Sequence, residues 1–185
     1  MARTGLIPPE EISEEYRDLF SEDYVGDRNI IRLLVNDPPL LESLFISTEV
    51  MTRHFTSREE ELIALATARA SSAEYEWHQH VDLARDAGIS TTEIRAIGGD
   101  DFEQFSDDER TLLRYTEAVA SAEVTDDTHA DMAAVYDSPQ LVALEMFVGF
   151  YIGHSHVVRA EGLSFEEGEF VGWTPSDQQI EKIFG

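Results

Sequence analysis

The sequence predicts an all-α helical bundle, and three observations carry that prediction. Apolar residues recur at the three-to-four spacing of a helix, while strand-like alternation is nearly absent. Ser-x-x-Glu strings precede apolar runs at Ser57/Glu60, Ser90/Glu93 and Ser106/Glu109, the reciprocal capping signature of a helix N-terminus. The six prolines and eleven glycines are sparse and cluster at what read as helix ends.

Taken in order, Pro8-Pro9-Glu10-Glu11 opens a first amphipathic segment that buries Ile12, Tyr16 and Leu19. A short helix is expected over Asn29 to Val35. Asp37-Pro38 supplies a cap and an N-terminal proline for a helix through Leu41, Leu44, Phe45 and Thr48. The three capping boxes then start three helices. Between the first two lies a helix over Ala73 to Ala87, closed by Gly88. Thr125 caps a helix holding Met132, Val135 and Tyr136. Ser138-Pro139 opens the longest and most hydrophobic helix, which runs to Gly162. The tail, 163–185, is acidic, with Phe165, Phe170, Trp173 and Phe184 irregularly spaced. It is expected to pack over its own domain or a neighbouring subunit. No linker, repeat or low-complexity stretch interrupts the chain, so residues 1–185 are read as one domain.

Charge narrows the function classes. There are 38 acidic residues against 13 basic ones, a formal charge of −25, and Lys182 is the only lysine. Such a surface repels nucleic acid and anionic membranes, so neither is an expected partner. Self-repulsion of this size opposes compaction in ordinary cytosol, but at molar salt the Debye length falls to about 3 Å. A high-salt cytoplasm is the simplest setting. With no cysteine there is no disulfide, thiolate chemistry or Cys-ligated cluster. The first fifteen residues have no apolar core, so no signal peptide is read. Leu141 to Gly153 is too short to span a bilayer and is broken by Glu145, so it is read as a buried helix. The protein is expected to be cytoplasmic.

Chemistry concentrates at Glu61 to Arg69 and Ala73 to His80. Glu76 and His80 stand one helical turn apart, beside an apolar stripe of Trp77, Val81 and Ala84. A carboxylate beside an imidazole can hold one tautomer, and together they can move a proton between atoms. A short turn can bring Glu61 back as a third group. The plainer alternative is an exposed Glu–His pair contributing about 0.2–0.5 kcal/mol to its helix. Ligand type also allows a mononuclear metal site from Glu61, Glu76 and His80, although no metal is expected. His78 and His80 lie about 200° apart on a helix and do not share a ligand easily; His78 is expected to face solvent or a neighbouring subunit. Arg69 is the expected substrate clamp among the arginines flanking the Glu61 helix. Tyr75 and Trp77, with Tyr151 and His154 from the longest helix, are expected to complete the substrate-binding wall.

The string Glu61-Leu-Ile-x-Leu, then Ala73-Glu-Tyr-Glu-Trp-x-x-His80, then Ala84-x-x-Ala87-Gly88-Ile89-Ser90-x-x-Glu93-Ile94 resembles the carboxymuconolactone decarboxylase family. That superfamily also holds the alkylhydroperoxidase-D-like proteins. The matching core runs from about residue 55 to 97. The resemblance implies an alkylhydroperoxidase-D-like bundle that assembles as a homotrimer or homohexamer, with the site near a subunit interface. Its peroxidase branch carries Cys-x-x-Cys-x-x-x-His with a glutamate on the preceding helix. Here those positions hold Ala73, Glu76, His80 and Glu61, so both thiols are gone. Thiol-dependent hydroperoxidase activity is therefore not expected. The remaining set resembles the cysteine-free, decarboxylase-like branch. That implies cofactor-free decarboxylation or isomerisation of a small carboxylate or lactone, with His80 as acid/base, Glu76 orienting it or sharing its proton, and Glu61 completing the relay. The alternative is a non-catalytic oligomer that binds a small molecule on the same fold.

Overall fold

A short 3-10 turn, Pro9–Glu11, precedes nine α-helices, with no strand among the described residues. The helices are α1 (Asn29–Leu34), α2 (Pro38–Thr52), α3 (Ser57–Ala70), α4 (Glu74–Asp86), α5 (Thr91–Gly98), α6 (Asp107–Ala120), α7 (Asp126–Ala133), α8 (Ser138–Glu161) and α9 (Asp177–Phe184). The computed structural model describes residues 2–14, 28–166 and 168–184. Tyr16 and Leu19, expected to continue the first buried face, lie outside these; Ile12 is buried beside Ile31, Val35 and Leu41.

Helix α3 is the axis of the bundle because it is apolar nearly all round, and such a helix is stable only inside a protein. Every residue from Glu61 to Ala68 is buried, and α4, α5, α6 and α8 pack around it. Helix α4 contributes Trp77, Val81 and Ala84, all fully buried, as the expected apolar stripe.

The capping boxes at Ser90/Glu93 and Ser106/Glu109 form as read, and Thr125 caps α7 through Thr128. The first box is displaced by one residue: Thr56 and Glu59 make the reciprocal bonds, not Ser57 and Glu60. Glu60, outside that cap, is partly buried within reach of the Glu61 charge. Each such cap contributes about 1 kcal/mol. Arg58 ties three helix starts together: its Nε donates to Glu109 Oε1 at 2.7 Å, and its Nη2 and Nη1 reach Glu93 and the Gly88 carbonyl.

One expectation needs correction. Helix α8 has the bounds read from sequence, but over its 24 residues it has the length and hydropathy to cross a membrane, and it is not buried all round. Only one of its faces is buried, packed on α2, α3, α4, α6 and α7; Val142, Met146 and Val157 on the other are exposed. The tail packs over its own domain, against α4 and α5. It ends in α9, capped by Ser176 and Gln179, with Ile180 buried. Its approach is close: a Cβ on Gly98 would stand 1.7 Å from the Trp173 carbonyl oxygen, so only glycine lets the tail cross α5 there.

Candidate active site

The loop between α3 and α4 is three residues long, from Ser71 to Ala73, so the two helices return side by side and face each other across Glu61 and His80. Glu61 Oε2 and His80 Nδ1 are 2.8 Å apart and both side chains are buried. A carboxylate accepts, so Nδ1 carries the hydrogen. The other ring nitrogen, Nε2, has no partner among the described residues and is left to the cavity that His80 lines.

This cavity has a volume of about 380 Å³. Its polar wall includes Tyr75, Glu76, Gln79 and His80 from α4, with Tyr151 and His154 from α8. Its apolar wall includes Ile30, Ile31, Leu44 and Phe150. The Tyr151 ring lies 5.1 Å from the His80 ring, and His154 packs edge-on against Phe150 at 4.2 Å. Burial lowers the His154 pKa to about 4, so this imidazole is neutral at ordinary pH.

Glu76 is the exceptional group. It is 7% exposed, and its Oε2 is buried with no hydrogen-bond partner among the described residues. Burial raises its carboxyl above the usual range, against a lesser opposing pull from its own backbone and from the charges of His80 and Arg159. An unpartnered buried carboxyl costs stability unless something at the site uses it. Burial raises Glu60 as well, reinforced by the Glu61 charge. The division of labour thus differs from the expected one. Glu61, not Glu76, holds His80, and Glu76 stands at the cavity with an oxygen to spare. Among the described residues no three His, Asp or Glu side chains are placed to share a metal ion.

The back of α4 is braced by the tail. The Tyr75 hydroxyl donates to Glu166 Oε1 at 2.5 Å, Gln79 donates to the other oxygen, and the Asn29 amide donates to Oε1 at 2.6 Å. Both Tyr75 and Gln79 line the cavity, so Glu166 fixes part of its wall from behind.

Of the expected site residues, Glu61, Tyr75, Glu76, His80, Tyr151 and His154 come together; three others do not behave as read. Arg69 donates to the Gly98 carbonyl at 2.8 Å and to Asp100, lies over Trp173, and lines no part of this cavity. It is held by the α5 C-terminus, whose carbonyls and Asp100 attract a cation. Trp77 is core: its indole N–H donates to the Gly172 carbonyl at 2.9 Å and it is fully buried. His78 faces neither solvent nor an open surface. It is 3% exposed, packs between Phe165 and Phe184, and accepts the Val171 amide at Nδ1. Sequence reasoning missed Gln79, which Tyr75 signals at four residues' spacing, and Arg28 and Glu166, which nothing local signals.

Residues 46–118 match the carboxymuconolactone decarboxylase family. The resemblance read from the sequence is therefore shown over the stretch from mid-α2 to α6, wider than the expected core. The crystal structure of an alkylhydroperoxidase AhpD core, an uncharacterized peroxidase-related protein from Ralstonia eutropha JMP134, has the same fold. It superimposes with a TM-score of 0.79 at 14% identity, over 95% of this chain and 98% of that one. No curated protein matches the sequence.

Proposed function

We propose that this protein is an acid/base enzyme of the decarboxylase-like kind, acting on a small carboxylate or lactone without a cofactor of its own. The observation that carries the reading is the Glu61–His80 pair at 2.8 Å, beside a Glu76 carboxyl with a free buried oxygen, at one cavity. In that arrangement Glu61 fixes the tautomer, and His80 Nε2 exchanges a proton with the substrate. Glu76, pushed toward its protonated form by burial, delivers a proton where negative charge develops. For decarboxylation, the electron pair left by departing CO2 passes to carbon or an enolate, which takes that proton. For isomerisation, one group removes a proton and the other returns one at a second carbon.

The peroxidase-related relative shares only the fold. A thiol route requires cysteines, and this chain has none. The same reading takes the protein to be a homo-oligomer of a high-salt cytoplasm. It is supported by the exposed Met146 and Val142 on α8, beside Ile46 and Val50 on α2, on a molecule otherwise dominated by acid.

The test is CO2 release and solvent-proton incorporation across a panel of carboxylated lactones and β-keto acids in molar KCl, with His80→Ala and Glu76→Gln beside the wild type. Turnover that disappears in both folded variants supports the reading. No turnover of any substrate by folded wild type removes it in favour of a binding protein.

A further inference from the structure

The chain has 13 basic residues against 38 acidic ones, so a guanidinium that is partly buried without a partner is conspicuous; Arg85, Arg95 and Arg114 are exposed. Arg3, Arg58, Arg69 and Arg159 each donate to backbone carbonyls or carboxylates. Arg28 does not. It is half-buried at the start of α1, lines the cavity, and its side chain forms no hydrogen bond or ion pair with any described residue. It is also the one cation among the described residues that line this cavity. A guanidinium cannot shed its charge, and holding it half out of water beside Ile30, Leu44 and Phe150 is unfavourable without a counter-charge.

Among the described residues the nearby carboxylates do not supply one: Glu49 and Glu76 line the same cavity without a bond to Arg28. Glu166 is already engaged by Tyr75, Gln79 and the Asn29 amide. Asp82 feels the Arg28 charge without pairing to it. Arg28 is nonetheless close to the chemistry, because its charge also acts on the hydroxyls of Tyr75 and Tyr151, and the latter's ring lies 5.1 Å from that of His80.

We propose that Arg28 is the anion anchor of this cavity and selects small, largely apolar monocarboxylates, gripping the carboxylate through its two-pronged guanidinium. A carboxylate matches that fork in shape and charge. A phosphate dianion does not fit as well, since one cation leaves it half-neutralised in a strongly acidic protein. The apolar wall accounts for the body of the ligand, and a volume of about 380 Å³ sits at the small end of ligand pockets. The inference takes the cavity of the proposed function as the substrate site, and its test separates the two.

The experiment measures binding of benzoate, phenylacetate and hexanoate, each beside its primary amide, by calorimetry at neutral pH. Wild type is expected to bind at least one acid about tenfold or more tighter than its amide, the scale of one charged hydrogen-bonded contact. Arg28→Gln is expected to bring that ratio to about one while leaving amide affinity unchanged, with Arg28→Lys between them. Arg69→Gln, outside the cavity, is expected to leave the ratio alone. A ratio that survives in folded Arg28→Gln overturns the proposal, and so does a wild type that prefers none of the acids. Failure of the acid/base reading is read as absent turnover in the wild type, and failure of the anchor as an acid preference that does not depend on Arg28, so the two failures are distinguishable.

Discussion

Helix α4 carries two histidines two residues apart, and their contrast shows what marks a reactive group. Both are buried, His78 at 3% exposure and His80 at 7%. His80 has a carboxylate on one nitrogen and a cavity at the other. His78 accepts a backbone amide from Val171 and lies between two phenylalanine rings. Burial lowers its pKa, which keeps the ring neutral and its lone pair available to that amide. Burial therefore does not separate them; partners do. One imidazole is arranged to exchange protons, the other to fasten the tail.

The sharpest way to break this contrast is to remove each ring. With an active substrate in hand, His80→Ala is expected to lower turnover per folded molecule about 10²–10⁴-fold, the usual worth of a positioned acid/base, and to cost stability as well, because the buried Glu61 carboxyl loses its partner. His78→Ala is expected to cost stability alone. It strands the Val171 amide and leaves a gap between Phe165 and Phe184, for a loss of about 1–3 kcal/mol, with turnover per folded molecule nearly kept. Equal losses of turnover in the two variants would end the distinction by partner.

A third histidine sharpens it further. His154 has neither carboxylate nor backbone donor among the described residues, and burial alone holds its pKa at about 4, against 6.5 for the free side chain. In the unfolded chain it takes up its proton at higher pH than in the fold, so between those values the unfolded state binds more protons. Stability from this residue is complete above 6.5, falls as the pH drops toward 4, and falls no further below. The raised carboxyls of Glu60 and Glu76 act with the opposite sign, so the readout is a difference. Wild type should lose roughly 1–3 kcal/mol more than His154→Phe between pH 7 and pH 4 in denaturant melts. Parallel pH profiles would mean that His154 is open to water.

Local signals were legible and long-range ones were not. Gly88 and Gly162 end their helices in the left-handed conformation, as their positions implied, and the pairing of Ser90 with Glu93 was readable because a cap is a matter of three residues. The Glu76/His80 row was readable from helical spacing, and a short turn was enough to bring Glu61 near. Which carboxylate holds the ring was not, because that depends on how α3 and α4 pack. Arg69 failed as a clamp for the same reason: its neighbours in space, Gly98 and Trp173, are far along the chain. The Ser176-x-x-Gln179 cap of α9 has the form of the Ser90 and Ser106 boxes, with glutamine in place of glutamate, but the irregularly spaced aromatics around it blur the apolar period that marks a helix.

The contrast between partnered and unpartnered groups extends from imidazoles to guanidiniums, where it gives the smallest expected effect. Arg58 has Glu93, Glu109 and the Gly88 carbonyl around it, so its role is to join three helix starts. Its side chain is 30% exposed, which limits the worth of each ion pair. Arg58→Gln is expected to lose roughly 1–2 kcal/mol at low salt and less in molar KCl, where the charges are screened. Arg28→Gln, with no described partner to lose and an uncompensated charge removed, is expected to melt no lower than the wild type at both salt concentrations. Denaturant melts of the two variants at 0.1 M and 2 M KCl, concentrations about a 4.5-fold change in Debye length apart, decide the matter. If Arg58→Gln loses the same amount at both, the residue acts by packing its stem rather than by charge. If Arg28→Gln is destabilised as much as Arg58→Gln, its guanidinium serves the fold and not a ligand.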